Sequence, residues 1–246
     1  MPYIVGITGR AGSGKDTLAA ALERQLSLLG YSSSRFSYAA PIRCIARDAG
    51  LEPHIREKKE VEKVLWFEDF KGRLLQDIDF ELLGVNSNDR AELFSFFVEA
   101  LEESGALQSS GEEDTLRISP RVFMQMLGTA GRKVHRHFWI ALIKKIIDST
   151  KADVAIISDV RFPEEALITD IMLGRVGEGS IVSEHKSESH VDSLLKGCAT
   201  AVPYLMDLEY LETNAASLAA AIAAHCKEKL AARTRISEIP NLISER

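Results

Sequence analysis

Cysteine is scarce in this chain. Three occur in 246 residues, Cys44, Cys198 and Cys226, with no CxxC pair and no zinc-ligand spacing. A disulfide scaffold and a structural zinc site are excluded, and a reduced intracellular compartment is the expectation. Long apolar runs are lacking too: nothing approaches the ~18 residues that a membrane span needs, and mean hydropathy is −0.04. The opening MPYIVGITGR has no basic n-region and no apolar h-region, so no secretory leader is expected. Collagen, coiled coil and wholesale disorder are excluded by composition. Positive charge is not in excess either: 30 basic against 36 acidic residues give a net charge of −6. A binder of nucleic-acid polymer is usually basic overall. Neither a nucleic-acid nor a membrane partner is expected, and the reading is a soluble cytoplasmic protein.

What charge there is lies unevenly. Residues 51–118 hold seventeen acids and eight bases, so this segment is strongly acidic and the remainder is basic. Between Ser119 and Ile147 stand Arg121, Arg132, Lys133, Arg136, Lys144 and Lys145, with no Asp or Glu. Such a stretch in an acidic protein suits either a small polyanionic ligand or a solvated helix face.

Tyr3–Thr8 (YIVGIT) reads as a buried strand, followed by GRAGSGKD and a helix from Thr17 to about Leu29, stopped by Gly30. Ser34–Tyr38 alternates as a second strand, and Pro41 suits the first turn of a helix over Ile42–Ala49. Helical patches at 61–75 and 92–104 fill the acidic segment. Helices are expected at Pro120–Leu127 and Phe138–Ser149, then a strand at Val154–Ser158 (VAIIS) whose unbroken apolar run belongs in a parallel sheet. A helix over Glu164–Met172, strands near Ser180–Val182 and Leu208–Leu211, and a helix over Ala215–Leu230 complete the pattern. Alternating strands and helices predict an α/β, doubly wound parallel sheet. Its core would be 1–50 with 119–231, the acidic 51–118 a helical insertion, and 232–246 a polar tail.

Gly9-Arg-Ala-Gly-Ser-Gly-Lys15 fits GxxxxGK, and it stands between a strand and a helix, where the motif has a mechanism. Gly12, Ser13 and Gly14 let successive backbone N–H groups face one phosphate, the helix N-terminus adds partial positive charge, and Lys15 reaches the β- and γ-phosphates. The position after the lysine is Asp16 rather than Ser or Thr. A carboxylate can hold Mg²⁺ directly or through water, and Thr17 behind it either meets the α-phosphate or opens the helix. Asp159 closes VAIIS, at the carboxyl end of a strand, where open α/β sheets bind ligands. An acid there orders Mg²⁺ in phosphate-transfer sites, with Arg161 facing the same crevice or pairing with Glu164 or Glu165.

Arginines stand in several such positions: Arg10, Arg43, Arg121, Arg132 and Arg161. No nucleophile–base pair accompanies them. A hydroxyl or water acceptor needs a base, whereas a phosphate acceptor is already ionised and needs only cations that hold two anions in line. A positioned arginine can contribute ~10³–10⁵ in rate. ATP-dependent phosphorylation of a phosphate-bearing small molecule is the expected reaction. The other readings are a kinase for a coenzyme A precursor or phosphomevalonate type of metabolite, and a non-catalytic nucleotide-binding switch.

The segments GRAGSGKDTLA, YAAPIR, SPRVFMQMLGTAGR with Trp139, ISDVRFPEEA, HKSE at 185–188 and the region ending in Asn214 run in one order over most of the chain. In this the chain resembles the P-loop deoxynucleoside monophosphate kinases of tailed bacteriophages and their bacterial relatives. The resemblance implies a nucleoside monophosphate acceptor, ATP as donor, Mg²⁺, a host-cytoplasm location if the chain is phage-encoded, and leaves a homodimer open. It places Arg43 at the acceptor phosphate and Arg121, Gln125, Gly128, Thr129 and Arg132 around the acceptor. Trp139 would stack on the base, and Asp159, Arg161 and Glu164 would lie near sugar, phosphate and metal. The acidic segment would cover the acceptor. Trp66 is expected in the core, Trp139 is a core residue or a base platform, His135, His137, His185 and His190 have no metal-ligand spacing, Gln76 and Gln125 are structural or base-reading, and Lys186 belongs to a lid.

Overall fold

An apolar run without polar alternation is satisfied only in a sheet covered on both faces, and YIVGIT and VAIIS both end in one. The computed structural model describes residues 1–74, 85–109, 114–176, 186–198, 200–203 and 208–237. In chain order these form β1 (Tyr3–Thr8), α1 (Lys15–Leu28), β2 (Ser33–Phe36), α2 (Ala39–Asp48), β3 (Lys63–Trp66), α3 (Phe67–Gly72), α4 (Ser87–Glu103), β4 (Leu107–Ser109) and β5 (Asp114–Ile118). There follow α5 (Pro120–Val134), α6 (Phe138–Ser149), β6 (Val154–Val160), α7 (Pro163–Ala166), β7 (Ile171–Val176), α8 (Lys186–Lys196), β8 (Thr200–Pro203) and α9 (Leu208–Ser237). They fall into two compact units, Met1–Ser37 with Ile147–Arg246, and Tyr38–Ile146.

The first unit holds a five-stranded parallel sheet in the order β2-β6-β1-β7-β8. Central β1 sets Val5 opposite Ile156 on one side and Ile171 on the other. Tyr3, Val5, Ile7 and Leu173 share a core with Leu18, Leu22 and Leu26 of α1 and with Ala215, Ala219 and Ile222 of α9. This is the parallel α/β architecture that the strand–helix alternation predicts.

Three expectations in this unit are corrected. The helix foreseen over Glu164–Met172 stops after α7, and Ile171–Val176 is a strand. The slot beside β1 decides it: a Cβ at Gly6 would lie 2.4 Å from Met172 Sδ, so the bare glycine admits β7 at close range. The stretch at Leu208–Leu211, expected as a strand, opens α9. Leu211, Ala215, Ala219 and Ile222 are buried at helical spacing and carry one face of it. That helix also takes residues 232–237 from the expected tail. The strand foreseen near Ser180–Val182 lies outside the described residues, as do Gln76 and His185.

The second unit contains a three-stranded antiparallel sheet, β3-β5-β4. The patch at 61–75, read as one helix, is split at Trp66 because β3 pairs with β5, Leu65 opposite Leu116. Trp66, expected in the core, is 54% exposed there. The core is instead an aromatic cluster of Phe70, Phe97 and Phe123. Phe123 meets Phe97 edge-on at 5.0 Å and Phe70 edge-on at 5.8 Å. Ser119 caps α5 by accepting from Val122 N at 3.3 Å, with Pro120 at the first helical position. The boundaries foreseen at 50 and 119 fall inside this unit: α2 packs on α5, and residues of 51–118 share their core. No helix among the described residues is long and apolar enough to cross a membrane.

Candidate active site

Two turns at the carboxyl end of the parallel sheet carry the residues expected to meet phosphate and metal. The first is the loop between β1 and α1. Gly12 and Gly14 both sit at φ 78°, in the left-handed region that favours glycine. A Cβ at Gly9 would stand 2.5 Å from the carbonyl oxygen of Arg175 and 2.7 Å from Ser13 Oγ, so the loop also needs glycine where it passes β7. Ser13 N donates to Arg10 O at 3.1 Å and closes the turn. Behind it the first N–H groups of α1 have no intrahelical acceptor. Lys15 is 8% exposed, and its Nζ donates to Gly9 O at 2.7 Å and Arg10 O at 2.8 Å. The ammonium is thus held inside the curve of the loop. Ser13 Oγ and Thr8 Oγ1 are buried there with no hydrogen-bond partner among the described residues.

The second turn follows β6. Gly6 and Thr8 of β1 face Ile157 and Val160 of β6, so β6 carries one extra residue at Ser158–Asp159. Such a bulge breaks strict alternation and re-aims side chains. Ser158 Oγ donates to Asp16 Oδ1 at 2.8 Å, and Ser37 Oγ donates to Asp159 Oδ2 at 2.5 Å. The two carboxylates foreseen for metal are each oriented by a serine hydroxyl. After Asp159, Glu165 Oε2 accepts from Arg161 N at 2.7 Å and Phe162 N at 3.1 Å, fixing the turn that displays Arg161 and Glu164. Thr17 lies exposed in the first turn of α1.

Mg²⁺ characteristically takes one or two carboxylates and fills its octahedron with water and substrate phosphate. Asp16 and Asp159 suit that demand. Among the described residues no group of three or more His, Cys, Asp and Glu could hold a metal by itself.

Of the residues foreseen for the substrate, Arg10 and Glu164 are in the first unit, and Arg43, Arg121, Gln125, Gly128, Thr129, Arg132 and Trp139 are in the second. Arg121, Gln125, Thr129 and Arg132 follow one another at helical spacing on α5, along the side left open by Phe123, Leu127 and Ala130. Arg132 Nη2 donates to Thr129 Oγ1 at 3.3 Å, and Thr129 Oγ1 donates to Gln125 O at 2.9 Å. Arg121 is paired with Glu60. Arg43 is half-buried on α2.

Two members of the foreseen set have other work. Trp139 is 4% exposed; its Nε1 donates to Gly128 O at 2.9 Å, and a Cβ at Gly131 would lie 2.6 Å from its ring. A ring so covered has no face for a base. Gly128 is buried, and a Cβ there would touch Ile42 Cδ1 at 3.4 Å. It lets α2 and α5 approach. Sequence reading missed Ser37, Ser158, Glu165 and Asp192, all of which act by orienting another group. Ser158 is hidden in an apolar run, and Asp192 binds Arg10 from 182 residues away, with no local signal.

The chain is 32% identical over 219 residues to the deoxynucleoside-5'-monophosphate kinase of Escherichia phage T5, covering 78% of this chain and 86% of that protein. The chain belongs to the deoxynucleoside monophosphate kinase family. No protein-family model matches it. Among solved structures it is similar to cobyrinic acid a,c-diamide synthase from Mycobacterium smegmatis, with ADP and magnesium bound. That likeness has a TM-score of 0.38 and 14% identity, over 90% of this chain and 82% of that one. The match with the ATP analogue and magnesium bound has a TM-score of 0.36, also at 14% identity, over 87% and 78% of the two chains. Overlap that loose carries no weight here. The place of this chain in the kinase family rests on the phage relative.

Proposed function

We propose that this family member transfers the γ-phosphoryl group of ATP to the phosphate of a (deoxy)nucleoside monophosphate, releasing ADP and a nucleoside diphosphate. The observation that carries it is the left-handed glycine loop around a buried lysine at the end of the central strand, in a chain whose relative is a deoxynucleoside monophosphate kinase.

Gly12, Ser13, Gly14, Lys15 and Thr17 take the donor phosphates, Lys15 exchanging loop carbonyls for phosphate oxygens. Asp16 and Asp159 hold Mg²⁺, which when bound offsets charge on the donor phosphates. Arg161, with Glu164 beside it, stands on the turn fixed by Glu165 and stabilises charge during transfer. Arg43, Arg121, Gln125, Thr129 and Arg132 bind the acceptor, Arg121 leaving Glu60 to do so. The acidic segment 51–118 covers the acceptor. The acceptor phosphate is itself the nucleophile, which is why the reaction needs no base and why serines that orient carboxylates suffice around the metal. Thirty-two per cent identity fixes the reaction type; the base is chosen by side chains on α5 and its neighbours.

An ADP-release assay with ATP and Mg²⁺ tests this. ADP should form with dGMP, dTMP or dCMP as acceptor. Release without acceptor, or only with phosphomevalonate or a phosphorylated coenzyme A precursor, would overturn it.

A further inference from the structure

Arg10, the second residue of the phosphate loop, is bound by Asp192 of α8. Its Nε donates to Oδ1 at 3.2 Å, and its Nη2 donates to Oδ1 at 3.0 Å and Oδ2 at 2.8 Å. The guanidinium beside it holds the Asp192 carboxyl below its ordinary pKa. A carboxylate offers that edge of the guanidinium two oxygens much as a phosphate does. Asp192 therefore occupies the donors by which Arg10 would grip an oxyanion side-on. Helix α8 also lays His190 against Phe162, with ring centroids 5.6 Å apart, so it reaches both the phosphate loop and the turn after β6.

We propose that Asp192 is an internal competitor of the nucleotide phosphates for Arg10. It takes the guanidinium when the loop holds no nucleotide and yields it when a polyphosphate enters. This rests on the phosphate-binding reading of the loop. Both side chains are about half exposed, 41% and 54%, and exposed ion pairs are weak. A polyphosphate brings more charge and further loop N–H donors, so the exchange runs toward the ligand. The carboxylate also adds a negative charge where a polyanion must settle, which lowers affinity by Coulomb repulsion alone. A strut that aimed Arg10 at phosphate would leave its Nε–Nη2 edge available; Asp192 takes that edge.

Calorimetric binding of ATP, ADP and adenosine to the full chain distinguishes the cases, using Asp192→Ala, Asp192→Asn, Arg10→Ala and the double variant Arg10→Ala/Asp192→Ala. Both Asp192 variants should bind ATP and ADP about 2–5-fold more tightly, the range an exposed pair supports. Adenosine binding should not change, and the gain should vanish in the Arg10→Ala background. Unchanged or weaker ATP binding in both Asp192 variants would overturn the competition, as would a gain that survives without Arg10. Absence of ATP binding in the unsubstituted chain would sink the phosphate reading itself, a separate and recognisable failure.

Discussion

The two units hold their charges in opposite ways. In the first, the groups proposed to face phosphate and metal are set by the backbone: glycines at positive φ, a lysine curled onto loop carbonyls, a bulge in β6, serine hydroxyls on each carboxylate. In the second, the arginines stand on the outer side of α5, and their position depends on the aromatic cluster behind that helix. One unit is specified by main-chain geometry, the other by packing at a distance. Substitutions should therefore separate the two kinds of failure.

The largest effect is expected from Phe123→Ala, which empties the space shared with Phe70 and Phe97. Losses of ~3–5 kcal/mol are usual for such truncations. Urea unfolding should show it, while ATP affinity of the protein that remains folded stays near wild type. If ATP affinity fell in step with stability, the loop's geometry would depend on the aromatic cluster and the contrast would fail. Lys15→Ala is the converse. Loss of one such preorganised cation should reduce kcat by ~10²–10³, with the unfolding midpoint moved far less than in Phe123→Ala. Turnover like that of the unsubstituted chain would remove the lysine from the reaction. Arg132→Ala comes next and sharpens the partition, raising KM for the monophosphate about 10-fold with KM for ATP unchanged. A change confined to ATP would move Arg132 to the donor side.

The smallest effect concerns acid. Hydrogen bonds from Lys58 and then Lys63 lower the Glu52 carboxyl from 4.5 to about 2. A group depressed in the folded state stabilises above its unfolded pKa and loses that contribution as pH falls. Glu52→Gln should therefore melt slightly lower than the unsubstituted chain at pH 7, and the gap should close between pH 4.5 and 2. A gap that widened on acidification would reverse the sign.

What was legible follows the same division. Tyr3–Thr8, the GxxxxGK turn, α1, Pro120 at the head of α5 and the run Val154–Ser158 are encoded within a few residues, so local pattern suffices. The helix expected over Glu164–Met172 runs into β7 at Ile171 and Met172 because their strand state depends on the space beside Gly6, which no local pattern carries. Leu208–Leu211 was misread because a short apolar stretch fits either period. In the acidic segment, β3 becomes a strand only once β5 lies alongside it. Within the candidate site, the residues that sequence reading proposes are those with a motif of their own: Lys15, Asp16, Asp159 and Arg161. Those that act through a partner, Ser37, Ser158, Glu165 and Asp192, leave no trace in spacing. For Trp139, which sequence leaves between core and base platform, the fold takes the core side and packs the ring against Gly131.

The pairing of Tyr3 with Val154 has a consequence for how the chain is made. The strand leading into the phosphate loop and its neighbour β6 lie about 150 residues apart in the chain. Closing so wide a loop is slow in a bare chain. The residues between, Tyr38–Ile146, have a core of their own and can condense first, shortening the effective span. In pulse-labelled hydrogen exchange during refolding, amides of α5 should be protected before those of β1; simultaneous protection would show that the two assemble as one. The proposed nucleotide loop then takes its shape only after the second unit has condensed, because the strand that leads into it waits for a distant partner.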